Sequence, residues 1–215
     1  MIQLFFNLTR KVVILQMGRI KRYRTPQGDK FFDTGTSNVS FLQLAMDLKT
    51  LGVKNYFFML EIVDISLVHV NPYAVDDKGN PTLTKDEVLR ILAECRRNPW
   101  YYLREICRIP DQGNPNGVPY KANRGNIAQA WCIVHGIDSL LCLQREQGET
   151  QSALAIQTWI YSFGTSGSTF IFVNKDFDNA KENLIRMKDQ IDLLPKYMRF
   201  EFYLHILEKT LEFWA

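Results

Sequence analysis

The segment that most restricts what this chain can fold into runs from Ser139 to Asn174. It opens with an apolar run, passes through a Gly-containing polar loop into an amphipathic stretch, breaks at Gly164-Thr-Ser-Gly-Ser168, and closes on Thr169-Phe-Ile-Phe-Val-Asn174. Short continuous apolar runs bounded by turn residues fit strands covered on both faces. The longer stretch between them, apolar at every third or fourth residue, fits a helix. The expectation is a parallel βαβ unit: strands at 139–144 and 169–174, joined through a right-handed crossover by a helix from Thr150 to Phe163. The loop Arg145-Glu146-Gln147-Gly148-Glu149-Thr150 has the frame of a phosphate-binding loop, in which backbone N–H groups and a helix N-terminus surround a polyphosphate while a hydroxyl holds Mg2+. Against the pattern G-x-x-x-x-G-K-[ST], Leu143 stands at the first Gly and Glu149 at the Lys, so only Gly148 and Thr150 fit.

The rest of the chain bounds the fold without naming a chemistry. With 46% apolar and 23% charged residues the composition is that of a globular domain, and a net charge of +3 identifies no polyanionic partner. Cys95, Cys107, Cys132 and Cys142 are irregularly spaced with no C-x-x-C pair, which predicts reduced, structural thiols. No apolar run approaches the roughly 18 residues of a membrane span. The first residues carry their basic side chains after an apolar run, and they do not read as a signal peptide.

Upstream of Ser139 the pattern is mainly helical. The basic run Arg19-Ile-Lys-Arg-Tyr-Arg24 suits either phosphate contact or, more commonly, a solvated strand or arm, and Thr25-Pro-Gln-Gly28 marks a turn. A helix is predicted from Phe41 to Leu51 with Gly52 as its stop. Asp76 to Pro81 reads as a turn, its oxygen-rich spacing unlike that of a Ca2+ loop. Thr84 and Glu87 form a predicted capping box, and Asn98-Pro99 starts a further helix. Asn123 caps a helix over Ile127 to His135 that Gly136 ends, and Asp178 caps one from Ala180 to Leu194. His69 and His205 lie in apolar segments and read as packed or capped side chains. The Pro, Gly and Asn enrichment over 109–122 is read as a boundary between a mainly helical accessory region, residues 1–110, and a phosphate-loop domain, residues 111–215.

Taken in order, these residues resemble the ATPase domain of the large terminase subunit of tailed bacteriophages. That family's Walker A loop reads Arg-Gln-x-Gly-Lys-Thr after an apolar strand, the register held here by Arg145 to Thr150. Asn98-Pro99-Trp100-Tyr101-Tyr102, Arg104-Glu105, Arg108-Ile109-Pro110 and Asn123 to Ala128 resemble the approach to that loop. Val173-Asn174-Lys175, Ala180, Arg186 and Ile191 to Pro195 resemble the strand and helix that follow it. The likeness is densest over 98–195 and weaker at Phe32-Asp33-Thr34 and Ser40 to Leu44.

The resemblance implies an α/β fold whose parallel-sheet phosphate-loop ATPase core is present in part, as the βαβ unit. It implies ATP and Mg2+ as cofactors, with nucleotide bound by Arg145, Glu146, Gln147, Gly148, Glu149, Thr150 and Gln151, and with Thr150 toward the metal. Arg124 and Gln129 become candidate adenine contacts, although Gln129 reads equally well as a surface residue of a capped helix. The implied partners are double-stranded DNA, the portal protein, the small terminase subunit and further copies in a homo-oligomeric ring. The implied place is the cytoplasm of the infected host cell, away from membrane.

Two departures bear on activity. Glu149 and Glu146 put anions where the family has Lys and Gln, and like charges in contact repel by several kcal/mol at an effective dielectric of ~20. The family's downstream acidic pair and nuclease domain find no counterpart before Ala215, so the chain reads as the N-terminal portion of such a motor, and no catalytic residue is assigned. The alternative is a non-catalytic interaction or scaffold domain with a degenerate nucleotide site. A generic phosphate-loop kinase fits worse, because that chemistry needs the Lys.

Overall fold

The computed structural model of the chain describes residues 19–25, 28–139, 148–164 and 176–199. The basic run becomes strand β1, Ile20–Thr25, paired antiparallel with β2, Gly28–Asp33, in the register Ile20 with Asp33 and Thr25 with Gly28. Lys21, Arg22 and Arg24 are exposed, which is the solvated strand that a charge run most often makes, while Arg19 grips Asp33 through two hydrogen bonds of 2.8 and 2.9 Å. A two-residue strand β3, Glu61–Ile62, extends the sheet from β2.

Helix α1, Val39–Thr50, buries Phe41, Leu44 and Ala45 and stops at Gly52 as its pattern predicts. Two short 3-10 turns, Phe58–Leu60 and Ile65–His69, flank β3, and His69 is exposed rather than packed. Asp76 to Asn80 is a tight turn in which the Asp76 carboxylate accepts from the Lys78 and Asn80 amides. Helix α2, Lys85–Arg97, starts with both halves of the Thr84–Glu87 capping box in place. Helix α3, Pro99–Tyr101, is capped by Asn98 and continues as a π-helical turn, Tyr102–Ile106.

The Pro, Gly and Asn-rich stretch is an antiparallel hairpin, β4 at Arg108–Asp111 and β5 at Asn114–Pro119. Its prolines are tolerated because each strand pairs on one side only. Gly117 is required there: its φ is +63°, and a Cβ would stand 2.6 Å from Leu193 Cδ1 and 2.8 Å from the Ile109 carbonyl. Helix α4, Arg124–Val134, follows with the Asn123 carboxamide as its cap. Helix α5, Glu149–Trp159, extends through a π-helical turn to Gly164. Helix α6, Phe177–Asp192, is capped by Asp176 and not by the predicted Asp178. The cap belongs to the residue still in extended conformation. Asp178 lies in the first turn, where its charge still suits the positive end of the helix.

One buried cluster takes side chains from both halves of the chain, among them Phe41, Ile62, Ile91, Leu103, Leu154, Ile156, Met187 and Leu194. The fold is therefore mixed α/β, and both sheets among the described residues are antiparallel. The predicted parallel pair has only Ser139 among the described residues, where it is irregular; 140–144 and 169–174 lie outside them. No helix among the described residues is long and apolar enough to cross a membrane.

Candidate phosphate-binding site

Helix α5 begins immediately after Gly148, whose φ of +79° and ψ of +20° are left-handed. A side chain at this position would strain the backbone, so the one loop glycine stands where the chain turns into the helix. Gly148 offers no side-chain cap, and the first N–H groups of any α-helix lack intrahelical acceptors. This 11-residue helix therefore begins with amides that lack intrahelical acceptors, and with the positive end of its dipole, at Glu149, Thr150 and Gln151.

Three contacts fix that helix start against the preceding elements. Ser152 is buried, and its hydroxyl lies 2.6 Å from the Tyr120 hydroxyl at the end of β5 and donates to the Asn126 carbonyl at 3.3 Å. Burial pushes the Tyr120 hydroxyl well above its ordinary range, so it remains a neutral partner there. Asn126 is only 6% exposed, and its Nδ2 lies 3.8 Å from the point where a Gly148 Cβ would stand. That amide reaches the Lys121 carbonyl at 3.5 Å, while its Oδ1 has no partner among the described residues. A buried carboxamide with spare capacity thus stands beside a helix start that has no side-chain cap among the described residues. Nothing local in the sequence named it, because Asn126 and Tyr120 precede Gly148 and Ser152 by more than twenty residues.

The predicted nucleotide residues fall in three groups. Arg145, Glu146 and Gln147 lie outside the described residues. Gly148, Glu149 and Thr150 form the loop-to-helix junction, with Gly148 and Thr150 exposed. Gln151 is turned to structural use: its Oε1 accepts from Gln190 Nε2 at 2.8 Å, tying α5 to α6.

The two adenine candidates, five residues apart on α4, are rotated by about 140° and cannot share a face. Arg124 is exposed and borders an apolar cavity of about 390 Å3 lined by Leu44, Leu48, Phe58, Ile127 and Trp131. Gln129 is not on that lining. Its Oε1 is buried without a partner among the described residues.

Other chemistry is sparse. No group of three or more His, Cys, Asp or Glu that could hold a metal occurs among the described residues, so the hydroxyl of Thr150 is the one predicted ligand they include. His135 stacks on Trp131 at 4.0 Å and bonds that residue's carbonyl, and His205 lies outside the described residues. Cys95 and Cys107 are buried free thiols that burial pushes well above the ordinary range, Cys132 is half-buried and free, and Cys142 lies outside. Family models, curated proteins and solved structures were each compared with the chain, and none matches it.

Proposed function

We propose that the chain is the N-terminal portion of an ATPase motor domain of the terminase large subunit type, which binds ATP and Mg2+ and serves the packaging of double-stranded DNA into phage procapsids. The observation that carries this reading is the left-handed Gly148 at the start of α5, which has no side-chain cap among the described residues, with the buried Asn126 amide beside it. It supports the reading because a polyphosphate needs convergent N–H donors on a rigid element and a backbone that can approach closely. The ordered set of sequence likenesses from Asn98 to Pro195 then narrows phosphate-binding to this family.

In this reading 139–144 and 169–174 pair as parallel strands flanking α5, and Thr150 places its hydroxyl toward Mg2+, which would neutralise phosphate charge. The partners are DNA, the portal, the small terminase subunit and further copies in a ring, in the cytoplasm of an infected cell. A second reading, a non-catalytic interaction domain on the same fold, is favoured by one observation: Glu146 and Glu149 occupy the positions of Gln and Lys.

One substitution separates the two. Glu149→Lys changes the local charge by two units at the start of α5, and a repulsion of several kcal/mol at a dielectric of ~20 becomes an attraction. Calorimetry with Mg-ATP should show affinity rising by more than about tenfold, which corresponds to ~1.4 kcal/mol. Thr150→Ala, added to Glu149→Lys, should weaken binding when Mg2+ is present. Undetectable binding by the original chain and by both variants contradicts a nucleotide site at Gly148.

A further inference from the structure

A second cavity, of about 690 Å3, lies between the β4–β5 hairpin, the 72–81 loop and the C-terminal end of α6. Its volume is that of a small-molecule site. Among the described residues three cations line it, Arg108, Lys196 and Arg199, against one carboxylate, Asp192. Two of the cations have structural duties that use one nitrogen each. Lys196 Nζ donates to the Gly79 carbonyl at 2.7 Å, and Arg199 Nε donates to the Leu194 carbonyl at 2.5 Å. An ammonium has three donors and a guanidinium five, so most of their donors remain for another acceptor.

Arg108 instead meets the Tyr73 side chain. It takes part in none of the ion pairs among the described residues. Its guanidinium sits 4.2 Å from the centre of the Tyr73 ring, and Tyr73 is itself clamped by its hydroxyl to the carbonyls of Ile106, at 2.5 Å, and Leu193, at 3.2 Å. The turn just past α6 accounts for Arg199, which donates to the Leu194 carbonyl there. It does not account for an arginine on β4 set over a fixed ring. An adjoining polar cavity of about 430 Å3 shares Pro72, Tyr73 and Arg108, and its lining includes Tyr101, which is 1% exposed with a hydroxyl that has no partner among the described residues.

We infer that the cavity at Arg108 binds a small ligand carrying a multiply charged phosphate group. Arg108 supplies the planar fork that meets two phosphate oxygens, pre-positioned by Tyr73, and Lys196 and Arg199 supply the remaining charge. The excess of two positive charges among the described lining residues matches a pyrophosphate or phosphomonoester better than a single carboxylate. This site is distinct from the start of α5 and does not rest on the nucleotide reading.

The test is calorimetric titration of pyrophosphate into the full chain at low ionic strength, with circular dichroism of each variant. Arg108→Gln should weaken binding by about tenfold or more, the range of one charge-assisted pair. Lys78→Ala, in the adjoining turn but off the lining, should leave it unchanged, and Thr150→Ala separates out any binding at the start of α5. Should Arg108→Gln unfold, Arg199→Gln reads the same cavity and should also weaken binding. Absence of pyrophosphate binding at millimolar concentration, equal affinity in the folded Arg108 or Arg199 variant, or loss of binding only in Thr150→Ala overturns the inference.

Discussion

The residue that best shows how this fold is specified is Glu94, a carboxylate with no exposed surface. It accepts from the amides of Val63 at 2.9 Å and Asp64 at 2.8 Å and from Asn98 Nδ2 at 2.8 Å, so α2 is tied to the strand and turn before it. Asn98 passes the connection on, donating to the Glu61 carbonyl and accepting from the amides of Trp100 and Tyr101. Three N–H donors on one carboxylate stabilise its charge without an ion pair. Glu94→Gln replaces an acceptor oxygen with an amide that faces a donor, and should cost ~1–3 kcal/mol. For a chain of this size that is a fall of roughly 2–4 °C in Tm per kcal/mol, readable by thermal denaturation, whereas a change within error would show that water reaches the site. The caps at Thr84, Asn98 and Asn123 were legible in the sequence because their partners lie within three residues. Glu94 was not, because two of its partners lie about thirty residues away and Glu is a residue usually left in water.

Elements divide along the same line. Helices α1, α2, α4 and α5 follow from their spacing and stops, whereas the β4–β5 hairpin was hidden. Its residues are turn formers, and the pairing and the close approach of Gly117 to Leu193 specify it in place of propensity. The capping box of α2 carries a prediction about pH. The backbone amide of Thr84, then its hydroxyl, hold the Glu87 carboxyl below the usual carboxylate range. A folded-state pKa depressed below the unfolded value, about 4.3 for Glu, means that the stabilisation is fully present above that pH and is lost as pH falls through the folded value. The chain should therefore melt above a Glu87→Gln variant at neutral pH, with the gap closing below about pH 4. A gap that stays constant into acid would show that hydrogen-bond geometry, not charge, makes the cap.

At the scale of the molecule, the question is whether the chain behaves as the two regions its composition suggested, 1–110 and 111–215. The frame of the candidate site, Gly148 followed by Thr150 at the head of a helix, was legible because it is local. The surface that supports it was not, because it is assembled from β5 and α4. The same kind of long-range bond recurs across the suggested boundary. Trp159 Nε1 donates to the Cys95 carbonyl at 2.7 Å, the Tyr73 hydroxyl reaches the Leu193 carbonyl, the Tyr197 hydroxyl reaches the Pro72 carbonyl at 3.1 Å, and the Tyr102 and Phe163 rings meet edge to face at 5.7 Å. Separating the halves would strand buried donors and open a shared apolar cluster at once, so neither half should lose structure alone. Native-state hydrogen exchange checks this: the slowest amides of α2, at 85–97, and of α5, at 149–159, should open with the same free energy and the same denaturant dependence. An α5 that exchanges more easily by over ~2 kcal/mol would mean that the phosphate-loop helix opens as a separate unit. In that case a ligand at Gly148 would stabilise α5 far more than α2, whereas in a single cooperative unit it must raise both by the same amount.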